Sequence, residues 1–94
     1  MQILSLKLEL DAARIVFVRG RRTTWALKKL MSAGTTGLSV FDILAPRWSS
    51  YVHKLRKLGF LIETIRERHG GPFPGQHARY VLRSQLTILK ATGC

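Results

Sequence analysis

Residues 47–59, Arg47-Trp48-Ser49-Ser50-Tyr51-Val52-His53-Lys54-Leu55-Arg56-Lys57-Leu58-Gly59, constrain the fold more than any other stretch. Trp48, Val52, Leu55 and Leu58 recur at helical spacing, so one stripe of a helix faces a core. The other faces carry Arg47, Ser49, Ser50, His53, Lys54, Arg56 and Lys57, with no acidic residue among them. Gly59 is a stop signal. The segment predicts a short amphipathic helix with a uniformly basic solvent side.

The chain after this helix is strand-like. Phe60 to Arg68 is rich in β-branched and apolar residues, and Ala78 to Arg83 alternates, with Tyr80 and Leu82 inward and Arg79, Val81 and Arg83 on the opposite side. Between them, His69-Gly70-Gly71-Pro72-Phe73-Pro74-Gly75-Gln76-His77 is too dense in turn formers for a regular element. The expectation is a long hairpin with a nine-residue tip.

The chain before the basic helix favours further helices. Thr23 or Thr24 is a natural N-cap for a helix from Trp25 to Ala33 that Gly34 stops, with Leu27, Leu30 and Met31 inward and Lys28 and Lys29 outward. Leu38 suggests a brief strand. Ser39, with Asp42 three positions on, is a capping-box arrangement opening a second short helix that Ala45-Pro46 ends. At the start of the chain, Leu4, Leu6, Leu8 and Leu10 alternate with polar residues, Asp11-Ala12-Ala13 turns, and Ile15 to Val18 favours a second strand. This reads as an N-terminal β-hairpin, with a helix through Leu4, Leu8 and Ala12 as the competitor. The tail from Ser84 forms a short helix or strand.

The chain of 94 residues is read as one domain: an extension over 1–20, a core over 23–83 and a tail over 84–94. Sixteen Lys and Arg against five Asp and Glu leave a net charge of +11, an excess usually tolerated because a polyanion neutralises it. No apolar run approaches the ~20 residues needed to span a bilayer, and the first residues lack a secretory leader. A single cysteine, Cys94, excludes an internal disulfide framework and fits a reducing cytoplasm.

The order helix, short strand, helix, basic helix, strand, Gly-rich tip, strand resembles the winged helix-turn-helix DNA-binding fold, over about Thr23 to Arg83. The most specific stretch is Tyr51-Val52-His53-Lys54-Leu55-Arg56-Lys57-Leu58-Gly59-Phe60-Leu61-Ile62-Glu63-Thr64. It is similar to small winged-helix domains of phages, prophages and bacterial regulators, where a recognition helix ending in Leu-Arg-x-x-Gly leads into the first wing strand. The resemblance implies an α+β winged helix: a three-helix core plus a C-terminal hairpin wing, here with the extra N-terminal hairpin. It also implies that the basic helix enters the major groove of duplex DNA while the wing reaches phosphates or an adjacent minor groove.

The residues agree on physical grounds. Arg47, Ser49 and Ser50 lie at the N-terminal end of the basic helix, where base contacts are usual, and Arg47 can bond the O6 and N7 acceptors of guanine. His53, Lys54 and Lys57 continue the exposed face. Arg66, Arg68 and Arg79 flank the wing tip, and Arg21 and Arg22 form a basic joint suited to backbone contact. Glu63 and Glu67 would repel phosphate, so they should face away or pair with Arg66 or Arg79.

His69 and His77 are two ligands without a third or fourth, which is too few for a stable zinc site, and no other cofactor or small-molecule ligand is suggested. No nucleophile, base and orienter set is recognisable, so a non-catalytic binder is expected. Rival readings are a protein-docking module of the same fold and a binder of structured RNA. A second copy joined through residues 3–18 would suit a palindromic site.

Overall fold

The computed structural model describes residues 3–39, 48–70 and 75–93. Strands β1 (Ile3–Leu10) and β2 (Arg14–Arg19) form the N-terminal hairpin. Helix α1 (Arg21–Ala33), a 3-10 turn (Gly34–Thr36) and the two-residue strand β3 (Leu38–Ser39) come next. The basic helix α2 (Trp48–Lys57) then leads to strands β4 (Ile62–His69), β5 (Gly75–Leu82) and β6 (Leu86–Gly93). Among the described residues there are two antiparallel sheets, ordered β2-β1-β6 and β3-β5-β4.

The first hairpin obeys its leucine alternation. Leu6, Leu8 and Leu10 are buried, as are Val16 and Val18 on the partner strand, while Ile15 and Phe17 point outward. Asp11 and Ala12 both take positive φ, the pair of left-handed residues that a tight turn matching strand twist requires. The tail is a strand, not a helix. It pairs with β1 along its length, so the first and last segments of the chain share one sheet. Strand β1 therefore has both edges bonded, and within the segment 3–18 expected to join a second copy only β2 is an outer strand among the described residues, as is β6 at the other side of the sheet.

Helix α1 begins earlier than the threonines suggest. Gly20, at φ 96°, is the cap residue, and Arg21 and Arg22 are the first turn of the helix rather than a joint. Thr24 does not cap because it is fully buried, and its hydroxyl donates to the Leu4 carbonyl at 3.4 Å. A tertiary bond has taken the side chain that local preference would place at the helix start. Leu27, Leu30 and Ala26 are buried against the first sheet and α2.

Of the three helices expected, the described residues hold two. Ser39, the expected cap of the middle one, lies in β3, and residues 40–47 fall outside the described residues, Arg47 among them. Helix α2 buries Trp48, Val52 and Leu55 as its spacing predicts, but the fourth place is taken by Tyr51. Leu58, expected in that stripe, lies beyond the helix and is partly exposed, because the chain there is already turning through Gly59 at φ 108°. Trp25 of α1 meets Trp48 with ring centroids 5.7 Å apart, and Tyr51 packs edge-on against Trp48. These residues join the leucines of β1, Phe60 and Ile62 in one core.

The long hairpin is present with a shorter tip, since β4 runs to His69 and β5 starts at Gly75. Residues 71–74, Phe73 among them, fall outside the described residues. Tyr80 and Leu82 pack on the core as expected. Val81, expected outward, is fully buried on the opposite face, where the backbone of Gly37 lies against it.

Candidate nucleic-acid interface

Burying Trp48, Tyr51, Val52 and Leu55 turns the rest of α2 outward. Ser49, His53, Lys54, Arg56 and Lys57 are exposed and Ser50 is partly so, which gives a helix face carrying cations and hydroxyls with no acid. Arg47 directly precedes this face in the chain. One cation is committed along the surface: Arg56 donates through Nε to the Ile62 carbonyl at 3.1 Å and through Nη2 to Thr64 Oγ1 at 2.8 Å. It clamps the last turn of α2 to the start of the wing. This positioning role was not visible in the sequence, which shows Arg56 as one more surface cation.

The register of the wing sorts its charges. Ile62, Thr64, Arg66 and Arg68 share one face with Leu82, Tyr80 and Ala78 of the partner strand. That face is the one held to α2 through Arg56 and Thr64, and toward the tip it presents Arg66 and Arg68, both exposed. Glu63 and Glu67 lie on the other face. There Glu63 pairs with Arg83 at 2.6 Å, and Glu67 pairs with Arg79 and His77 at 2.9 Å each. Both wing acids thus lie on the face opposite the contact with Arg56, and Glu67 takes Arg79, one of the partners expected for it. Arg79 goes with them: besides Glu67, its Nη1 donates to the carbonyls of Thr36 and Gly37 at 3.3 Å. Geometry separates Arg79 from Arg66 and Arg68, with which the sequence grouped it.

Hydrogen bonding from Arg79, opposed by partial burial and reinforced by His77, holds the Glu67 carboxyl below its ordinary value of 4.5. Because folding lowers this pKa, the pairing stabilises the fold above the ordinary glutamate range. That contribution is lost as acidification carries the pH down through the lowered value. Glu67→Gln is therefore expected to flatten the acid limb of stability in urea denaturation measured from neutral pH downward. An acid limb as steep as that of the parent would assign the loss to other groups.

Arg21 and Arg22 sit in the first turn of α1, four and three residues before Trp25, and Lys28 and Lys29 lie three and four residues after it. All four are exposed and share the α1 face around Trp25, which touches Trp48 at the start of α2. The structure thus adds Lys28 and Lys29 to the basic surface near the N-terminal end of α2. Their outward direction was legible, but their nearness to α2 depends on helix packing. Among the described residues, no three His, Cys, Asp or Glu side chains gather where they could hold a metal ion. Nor is any helix there long and apolar enough to cross a membrane.

The model of the winged helix domain family matches residues 15–92, most of the chain, and the protein belongs to that family. No curated protein and no solved structure is significantly similar to it. The match takes in β2, both helices, the wing and nearly all of β6, so the strand that returns to pair with β1 lies within the family's own extent.

Proposed function

We propose that the protein binds double-stranded DNA without catalysing a reaction. In this reading α2 lies in the major groove, with Arg47, Ser49, Ser50 and His53 nearest the bases and Lys54 and Lys57 on phosphates. Arg66 and Arg68 track the backbone or the neighbouring minor groove, whose narrow A·T tracts favour arginine. Arg21, Arg22, Lys28 and Lys29 contribute phosphate contacts, and Arg79 serves the wing's own structure. The observation that carries this reading is the sorting of charge: the wing face joined to α2 holds arginines, while both acids are paired on the far face. The far face balances its acids with Arg79, His77 and Arg83, whereas Arg66 and Arg68 share their face with no acid among the described residues.

The role that fits is a small cytoplasmic regulator of transcription, or a DNA-architecture or recombination factor acting on the nucleoid. A single domain of this size buries a modest DNA interface. A second copy on a palindrome would join through the outer edge of β2, which lies almost wholly within residues 3–18, or of β6, since β1 is paired on both sides.

Arg47→Ala is expected to cost about 1–3 kcal/mol on the preferred duplex and to relax discrimination at one base pair, while Lys57→Ala weakens all sequences alike. Titrations against preferred and scrambled duplexes, the preferred one taken from selection out of a random pool, check this. Equal losses on both from Arg47→Ala would remove the base contact from the reading.

A further inference from the structure

The first sheet has two unlike faces. One is the core wall covered by α1. The other faces away from the core, and the register places Phe17 of β2, Lys7 of β1 and Lys90 of β6 in one row across it. Strands lie ~4.8 Å apart, so the row spans roughly 10 Å. Phe17 is 52% exposed, although Val16 and Val18 on either side are buried and already anchor the strand. Arg19 holds its guanidinium 5.7 Å from the centre of the Phe17 ring. The acid on this face, Glu9, lies one row away, opposite Ile15.

An exposed aromatic ring amid three cations on an open sheet has a particular chemical complement. Such a ring offers a flat surface for stacking, and nucleobases stack on it with little regard to sequence. The cations require that the stacked group be attached to an anion. A second copy of this chain fits poorly, because a twofold pairing of this face would crowd the Lys7, Arg19 and Lys90 of both copies together with only Glu9 from each to offset them. A duplex fits poorly too, since its bases are already stacked on each other. We infer that the outer face of the β2-β1-β6 sheet binds single-stranded nucleic acid, with a base stacked on Phe17 and its neighbouring phosphates on Arg19, Lys7 and Lys90. This site shares no residue with the α2 and wing surface and does not depend on the duplex reading.

The test uses the full chain with short oligodeoxythymidine and oligouridine strands, an abasic strand of equal charge, and duplex DNA. Phe17→Ala should weaken single-strand binding about tenfold and leave duplex binding unchanged. Phe17→Trp should retain single-strand affinity, and the abasic strand should bind the parent and Phe17→Ala alike. The double variant Lys7→Ala/Lys90→Ala should make the single-strand salt dependence shallower, by about 0.7 for each phosphate no longer neutralised. Comparison of the DNA and RNA strands then shows which sugar is preferred. Unfolding curves of Phe17→Ala guard against a folding defect, which is not expected at an exposed position.

The inference is overturned if Phe17→Ala binds the single strands as the parent does, or loses affinity equally for single strands and duplex. It is also overturned if sedimentation shows that Phe17→Ala splits a homodimer with no change in strand affinity. Loss of duplex binding in Lys54→Ala/Lys57→Ala with single-strand binding intact would support it, and would separate its fate from that of the α2 surface.

Discussion

Duplex affinity is expected to fall about a thousandfold as salt rises from roughly 50 to 200 mM. The size of the effect comes from the cations on the proposed surface. Lys54 and Lys57 on α2, Arg66 and Arg68 on the wing, and Arg21, Arg22, Lys28 and Lys29 on α1 are all exposed. If ~6 of them neutralise phosphates, each releases condensed counterions, and the logarithmic slope is near −5. Anisotropy titrations at several salt concentrations measure this slope directly. Apolar docking to a protein partner through the same fold would leave a slope near zero, and that result would dismiss duplex DNA as the main ligand. Competition with duplex RNA of matched length separates the remaining alternative, because α2 needs a groove wide enough for a helix and the deep, narrow major groove of RNA does not admit side chains. Single variants sharpen the assignment. Removing Lys57 should reduce the slope by about 1, whereas removing Arg79, already bonded to Glu67 and to two carbonyls, should leave it nearly unchanged.

Arg79 marks the limit of what the amino-acid order reveals. Local periodicity finds elements: the leucine alternation of β1, the apolar stripe of α2 and the two wing strands are all readable from spacing. It also finds the outward basic face of α2, because burying Trp48, Val52 and Leu55 leaves the lysines no other direction. Relations between elements are another matter. Which wing residues share a face depends on register, and register depends on the length of the tip. A nine-residue tip leaves that register undefined, whereas the observed pairing of Glu67 with His77 puts Arg79 beside the acids and Arg66 with the helix side. The same holds for β6, whose partner β1 lies at the other end of the chain. Nothing in Leu86 to Gly93 taken alone distinguishes a strand added to that sheet from a short helix. Thr24 shows the complementary failure, a cap preference overridden because its hydroxyl meets the Leu4 carbonyl. The order of the elements, which carries the winged-helix resemblance, does not fix these pairings.

The second large effect is expected at Gly37, which joins the helical half of the molecule to the wing. Its backbone sits at φ 72° and ψ −178°, a region open essentially only to glycine. A Cβ there would stand 2.6 Å from the Tyr80 carbonyl oxygen, 2.7 Å from Val81 Cγ2 and 3.2 Å from Arg79 Cγ. The carbonyl cannot withdraw cheaply, because Leu38 next to Gly37 is paired with Tyr80 in the sheet. Val81 is fully buried and has no room to turn away. Backbone strain of about 1–3 kcal/mol and overpacking of about 1–3 kcal/mol act together. Gly37→Ala should therefore lose roughly 3–5 kcal/mol, a large part of an ordinary domain's stability. In a domain this small that lowers the melting temperature by about 15 °C or more. Gly70→Ala is the matched control: a Cβ there meets no atom within 4 Å, so its melting temperature should barely move. A melting temperature for Gly37→Ala close to that of Gly70→Ala would mean that β3 does not lie on β5 as described. It would then also deprive Arg79 of its two carbonyl partners and leave the wing's own pairing with Glu67 to hold it.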